Sequence, residues 1–191
     1  MPTTFWKAEA NDEIFLVINH AMLNWHKELN QHKIKIGVIY AFSDKPEKPA
    51  VSNSGYPAYA TVRLVSPKDK VAKDYDVEML VDATAWRAAS SDLKKAIIDH
   101  ELAHVVLKKK KIKKAKSTEI NNAQAADPTQ EEEVVLDDHG RAMVKLRKAD
   151  WNVGDGFADV VARHGKNAAE YQNIATAEKL LSEAMAEVTI V

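Results

Sequence analysis

The sequence predicts an α+β fold in which a small, mostly antiparallel sheet packs against several helices. Two observations predict it. Short segments rich in β-branched and aromatic residues alternate with polar loops in the first half of the chain, and stretches with apolar residues three or four positions apart surround them. The chain has 191 residues, 46% of them hydrophobic, which suits one domain with a well-filled core.

The first half begins with a helix and continues as strands. Asn11 or Asp12 can cap a helix whose apolar positions continue to about Leu29. Strands are predicted at residues 34–42, 58–65 and 75–82, with loops rich in Pro, Gly, Ser and Lys between them.

The second half is mainly helical. Ser90 or Ser91 caps a central amphipathic helix, and a hairpin turns later at residues 138–140. Asp155 caps a short helix that Gly165 closes, and a last helix covers about residues 168–187. This order of elements is typical of the α+β class.

The domain boundary is predicted close to the end of the chain. Residues 1–166 form one domain, and residues 167–191 form a C-terminal helical extension that packs on the domain or on another chain. Inside the domain, residues 108–133 form an insertion that is basic at its start, acidic at its end and without periodicity. We expect this insertion to be mobile, and its second part could cover a cleft.

Composition excludes several classes of protein. The net charge is −1, so bulk charge predicts no nucleic-acid partner, and the absence of cysteine excludes disulfides, thiol nucleophiles and cysteine-based zinc ribbons. No apolar stretch approaches 18 residues, and the first residues lack the basic-then-apolar pattern of a signal peptide. The absence of cysteine fits a reducing, intracellular setting.

The stretch AIIDHELAHVVL, residues 96–107, spells an HExxH motif on the central helix. His100 and His104 are four residues apart, so both imidazoles lie on one face and can bind the same Zn²⁺. Glu101 is rotated by about 100° from His100, beside the open metal position, where it can act as a general base. The alternative is a core helix whose histidines are satisfied by hydrogen bonds. The core-facing position of the motif favours the metal, because two buried imidazoles and a carboxylate need a partner.

A third metal ligand must come from another element, and the residues leave several candidates open. They are Glu131, Glu132, Glu133, His139, Asp150 and His164. The glutamates lie in the patternless segment and His139 lies at a turn tip, so both are poor candidates. His164 falls on an apolar helix face and is either a ligand or a hydrogen-bonded core histidine. Asp150 follows the hairpin and is either a ligand, a helix cap or a partner of a ligand.

The motif and its surroundings resemble the phage metallopeptidase family, small HExxH proteins encoded by bacteriophages and prophages. The resemblance runs from about Lys35 to Gly165 and rests on IGVIYAFSDKP, on YDVEMLVDATAW before LKKAIIDHELAHV, and on LDDHGRAMVKLRKADW before FADVVARHG. It implies a zincin-like core, a peptidase acting on a peptide or protein substrate, and a phage-infected bacterial cytoplasm. Many members carry His-Asp where this chain has Ala149 and Asp150. Because the resemblance keeps the aspartate, it favours Asp150 as the third ligand.

Two further expectations concern binding. Residues 108–116 hold seven lysines, which could contact nucleic acid or an acidic partner, although the lack of arginine and aromatic residues there favours a solvated loop. Residues 77–81 are predicted as an edge strand that could hold an extended peptide. The alternative function is a phage-encoded metal-binding protein that acts by binding, such as an antagonist of host defence. The oligomeric state is left open.

Overall fold

A small mixed sheet is the frame of the fold. The computed structural model describes residues 3–45, 48–53, 55–111, 132–147, 157–169 and 171. Numbered along the chain, the strands in these ranges are β1 Thr4–Lys7, β2 Ile36–Phe42, β3 Ser52–Asn53, β4 Tyr56–Pro57, β5 Ala60–Leu64, β6 Val77–Asp82, β7 Val105–Leu107, β8 Lys109–Lys111, β9 Glu132–Val134 and β10 Val144–Leu146. The helices are α1 Glu13–Asn24, α2 Lys27–Gln31, α3 Ala83–Ala88, α4 Ser91–Ala103 and α5 Phe157–His164.

In the described part of the chain, the main sheet has the strand order β1-β2-β6-β5. The β1–β2 and β5–β6 pairs are antiparallel and the β2–β6 pair is parallel. The fold is therefore mixed α+β, and its main sheet is mostly antiparallel, as predicted.

Strand β6 lies inside this sheet and not at its edge. It is bonded to β2 on one side and to β5 on the other, and Val77, Met79 and Val81 are fully buried. The prediction that residues 77–81 form an edge open to a peptide is therefore wrong. Because both edges of β6 are already paired, its backbone has no free N–H and C=O groups to offer a peptide.

The predicted first helix is divided in two. Helix α1 ends at Asn24 and α2 begins at Lys27, while Trp25 and His26 lie between them. Apolar spacing alone does not reveal this break, because the apolar residues on both sides of it are buried in one core. Neither β1 nor helix α3, whose first turn is capped by the Asp82 carboxylate, is predicted by the sequence patterns.

The hairpin prediction is correct at its turn and incomplete in its pairing. The Gly140 N–H donates to the Asp137 carbonyl, and a bridge joins Leu136 to Ala142. The strands before and after the turn pair with other strands: β9, before it, pairs with β8, and β10, after it, pairs with β7. The two ends of the predicted insertion are therefore strands, while its middle, residues 112–131, lies outside the described residues. So do Asp155 and most of the predicted last helix, and the boundary at residue 166 stays a prediction.

The core lies between the sheet and the helices α1 and α4. Its fully buried side chains include Ile14, Val38, Met79, Ile98 and Leu102. A second, smaller apolar cluster joins the end of α4 to α5, and its members are Ala103, Phe157, Val160 and Ala168. Helix α4 is thus packed on two sides, which holds its C-terminal turn in place.

Candidate metal centre

The HExxH motif occupies the last turn of α4. The Ser90 hydroxyl accepts a hydrogen bond from the Leu93 N–H at 3.2 Å, the N-terminal cap that the sequence predicts. The helix ends at Ala103, and His104 is its C-cap. The β-branched residues that follow leave the helix and pair as β7 with β10. The two histidines therefore lie where α4 passes into a strand.

The two imidazoles face each other. The Nε2 atoms of His100 and His104 are 3.2 Å apart, and both rings are partly buried. Two nitrogens that bind one tetrahedral zinc at about 2.0–2.1 Å lie about 3.3 Å from each other. The separation in this structure therefore fits chelation of one metal ion by the pair, with little rearrangement of either side chain.

Arg147, the residue directly after β10, orients the second histidine. The Nδ1 atom of His104 lies 3.1 Å from the carbonyl oxygen of Arg147, and the Arg147 N–H donates to the His104 carbonyl at 2.7 Å. A carbonyl oxygen only accepts, so Nδ1 carries the proton, and in the neutral ring Nε2 keeps its lone pair. A backbone carbonyl on the other nitrogen is the usual support of a metal-binding histidine.

Phe157 forms an apolar wall beside the pair. Its ring centroid is 5.1 Å from that of His100 and 4.8 Å from that of His104, and the side chain is 5% exposed. The first residue of α5 therefore restricts the orientation of both imidazoles.

Glu101 is also buried, with 6% of its surface exposed. It follows His100 directly, so the helix rotates it by about 100° from that ligand candidate. Burying a charged carboxylate away from bulk solvent costs free energy, so a buried glutamate indicates a functional or structural role. This is the position in which an HExxH motif places its general base.

A second polar cluster lies on another side of the same helix turn. Asp99 is 0% exposed and accepts hydrogen bonds from three side chains. His26 Nε2 lies 2.7 Å from Oδ1, His164 Nε2 lies 3.0 Å from Oδ2, and Arg163 donates Nε to Oδ2 at 2.7 Å and Nη2 to Oδ1 at 3.0 Å. Burial raises the pKa of Asp99, but the bonds from His26 and Arg163 outweigh it, and the pKa is lowered overall.

This cluster is not a metal site. A carboxylate and two imidazoles would suit a divalent cation, but the guanidinium of Arg163 already bonds to both carboxylate oxygens. A cation and a guanidinium cannot share that position, because their charges repel. The bond from His164 to Asp99 therefore supports its interpretation as a hydrogen-bonded core histidine. The sequence patterns do not predict the cluster of Asp99, His26 and Arg163. The one local sign of it is the aspartate directly before the HExxH motif.

The structure brings some candidate ligands together and not others. His139 is exposed near the Asp137–Gly140 turn, and Glu133 pairs with Lys110 at 3.2 Å. Asp150 and Glu131 lie outside the described residues. Within the ranges that the structure describes, no group of three or more His, Cys, Asp or Glu residues could hold a metal ion. The third ligand stays a prediction.

The described lysines of the basic segment are partly neutralised. Lys109 bonds to Glu28 at 3.0 Å and Lys110 to Glu133 at 3.2 Å, while β8 pairs with β9. The expected loop is a strand in residues 109–111, and acidic side chains face two of its three lysines.

Within the described ranges, we find no helix long and apolar enough to cross a membrane.

Fold and site together define a mixed α+β protein with a pair of facing histidines at the end of its HExxH helix. The chain belongs to the family described as "Putative phage metallopeptidase", whose model matches residues 3–183. This match confirms the family that the motifs resemble, and the family implies a metal cofactor. No curated protein and no solved structure matches the chain.

Proposed function

We propose that this protein is a zinc-dependent peptidase in which His100 and His104 hold the metal and Glu101 is the general base. The observation that carries the proposal is the facing pair of Nε2 atoms, 3.2 Å apart, with the Nδ1 atom of His104 engaged by the Arg147 carbonyl. A pair oriented in this way is prepared to bind a metal, and the family membership of the chain supports the same chemistry.

Asp150 is proposed as the third protein ligand. Catalytic zinc sites use three protein ligands and leave one position open, and a carboxylate oxygen is a common third donor. Asp150 follows β10 in sequence, and Arg147, the residue directly after that strand, is bonded to His104. Asp150 is therefore three positions beyond a residue that is bonded to His104.

In this proposal the chain's own groups move the proton. When bound, zinc supplies Lewis-acid polarisation of the scissile carbonyl and a lowered pKa for water. Glu101 takes a proton from the attacking water while the oxygen of that water bonds to the carbonyl carbon. Glu101 then donates that proton to the amine nitrogen as the carbon–nitrogen bond breaks. Its burial, at 6% exposure, keeps bulk water from competing for the proton.

An extended peptide is proposed to bind along β5. Among the described strands of the main sheet, β5 is at one edge, next to β6, and it packs against the motif helix α4. An edge strand offers unpaired N–H and C=O groups to a substrate backbone. This position replaces residues 77–81, which lie inside the sheet.

The test compares wild type with Glu101→Gln and His100→Ala. Glu101→Gln should keep its zinc and lose about 10²–10⁴-fold in hydrolysis of a peptide library. His100→Ala should lose zinc in metal analysis of the purified protein. If the wild-type protein holds no zinc after dialysis against a zinc-containing buffer, the metal assignment is wrong. Full hydrolysis by Glu101→Gln would overturn the catalytic one.

The alternative function, a metal-binding protein that acts by contact with a partner, predicts a different outcome. Its biological effect would survive Glu101→Gln with zinc still bound. The buried carboxylate of Glu101 favours the peptidase, because a metal that serves only structure has no use for a general base.

A further inference from the structure

Asp99 connects the motif helix to two other parts of the chain. It lies directly before His100, and its carboxylate bonds to His26 between α1 and α2 and to Arg163 and His164 at the end of α5. In sequence these partners are 73, 64 and 65 residues away. The carboxylate is therefore a junction of three separate elements.

The geometry of this junction is strongly constrained. Arg163 bonds to both oxygens of Asp99 through its planar fork, which fixes direction as well as distance. The Trp25 ring supports the same groups, since it lies 5.4 Å from the guanidinium and meets the His164 ring edge-on at 5.0 Å. The end of α5 is thereby held at one place on α4.

The other end of α5 carries the wall of the candidate metal centre. Phe157 contacts both imidazoles, while Arg163 and His164 lie six and seven residues further along the helix. Six to seven residues span about 10 Å along a helix. A rigid α5, fixed at Asp99 by its C-terminal end, therefore sets the position of Phe157 at its N-terminal end.

We propose that Asp99 is a positioning residue of the metal centre, acting through α5 and Phe157 on the orientation of His100 and His104. The inference rests on the proposed function, because it assumes that the histidine pair binds the metal. It assigns a role in the centre to a carboxylate that does not touch the metal.

The first experiment compares Asp99→Asn with a matched control, Asp76→Asn. Asp76 is another buried carboxylate, bonded to Lys70 at 2.7 Å and to the Lys35 N–H at 3.0 Å, in the strand region remote from α5. Zinc affinity is measured by competition with a chromophoric chelator at a temperature where both variants are folded. We expect Asp99→Asn to bind zinc at least about 10-fold more weakly than wild type, and Asp76→Asn to bind it normally.

The second experiment needs no metal. Long-range proton–nitrogen spectra of the metal-free protein report the tautomer of each imidazole. We expect wild-type His104 to show one tautomer with the proton on Nδ1, and Asp99→Asn to show averaging between the two. The imidazole signals of Asp76→Asn should match those of wild type. Unchanged signals and unchanged affinity in Asp99→Asn would overturn the inference while leaving the proposed function intact.

The third experiment tests whether Asp99 acts through Phe157. The loss of zinc affinity from Asp99→Asn is measured again in a Phe157→Leu background. A path through Phe157 predicts a smaller loss there, whereas additive effects would overturn it. If Asp99→Asn does not fold, Arg163→Lys replaces it in all three experiments, since lysine keeps the charge and loses the fork.

The experiments separate the two proposals. If wild type binds no zinc, the proposed function fails, and the tautomer spectra still decide whether Asp99 orients the pair. If wild type binds zinc, and Asp99→Asn and Asp76→Asn lower the zinc affinity equally, the effect is general destabilisation and the inference is wrong.

Discussion

His104 and Arg147 are joined twice: the Arg147 N–H donates to the His104 carbonyl at 2.7 Å, and the His104 ring donates from Nδ1 to the Arg147 carbonyl, 3.1 Å away. Both groups of Arg147 are backbone groups. The orientation of the histidine therefore depends on the position of β10 and not on the identity of the side chain at residue 147.

Substitutions at Arg147 should show whether its backbone or its side chain supports zinc binding. Arg147→Ala keeps both bonds and should bind zinc within about twofold of wild type, because the orienting groups are unchanged. Arg147→Pro lacks the N–H and should weaken zinc binding by about 10-fold or more. Chelator competition measures both. Equal affinity of the two variants would contradict a role for this backbone pair.

Removing the wall at Phe157 should affect stability and the imidazoles together. Phe157→Ala leaves a cavity in a buried cluster and should lower the free energy of unfolding by about 3–5 kcal/mol. Phe157→Leu keeps most of the apolar volume and should cost less. Urea denaturation measures the difference. The imidazole spectra of the leucine variant should still change, since the ring contacts at 4.8 and 5.1 Å are lost.

Glu78 should make stability depend on pH. It is 2% exposed on β6, and it accepts bonds from Lys73 at 2.7 Å, from Tyr75 at 2.8 Å and from the Arg63 Nε at 2.7 Å. Burial raises its pKa, but these three donors outweigh burial, and the pKa is lowered from 4.5. Because the pKa of Glu78 is lower in the folded state, ionised Glu78 stabilises the fold. This contribution to the free energy of unfolding is complete above the unfolded pKa of 4.5 and is lost as the pH falls through the folded pKa.

Glu78→Gln should therefore lower the free energy of unfolding by about 1.5–3 kcal/mol at pH 7, the range for hydrogen bonds to a charged group. The difference from wild type should shrink at pH values well below 4.5. Urea unfolding of both proteins across this range measures it. A difference that stays constant from neutral to acid pH would show that the charge of Glu78 is not what stabilises the fold.

Gly37 leaves room for an aromatic ring. A Cβ atom added there would lie 2.5 Å from three ring atoms of Tyr75, which is closer than packed atoms approach. Gly37→Ala should lower the free energy of unfolding by about 1–3 kcal/mol through overpacking. In a Tyr75→Ala background the same change should cost less, because the clash is gone. Additivity of the two substitutions in denaturant would contradict the clash.

Local patterns in the sequence determined the elements around the candidate centre. The spacing of His100 and His104 placed both on one face of a helix, a cap was predicted at Ser90 or Ser91 and is Ser90, and the turn before Gly140 was recognised from its residue types. These features depend on residues only a few positions apart, so the backbone geometry of one element is enough to predict them.

Only the tertiary structure decided where those elements meet. It placed β6 inside the sheet, directed His104 to the Arg147 carbonyl 43 residues away, and joined Asp99 to His26, 73 residues before it. Pairings across such separations come from the packing of whole elements against one core, which no local spacing encodes. The sequence alone thus indicated which residues could bind a metal, and the packing of α5 on α4 and the pairing of β10 with β7 decided how His100 and His104 are oriented.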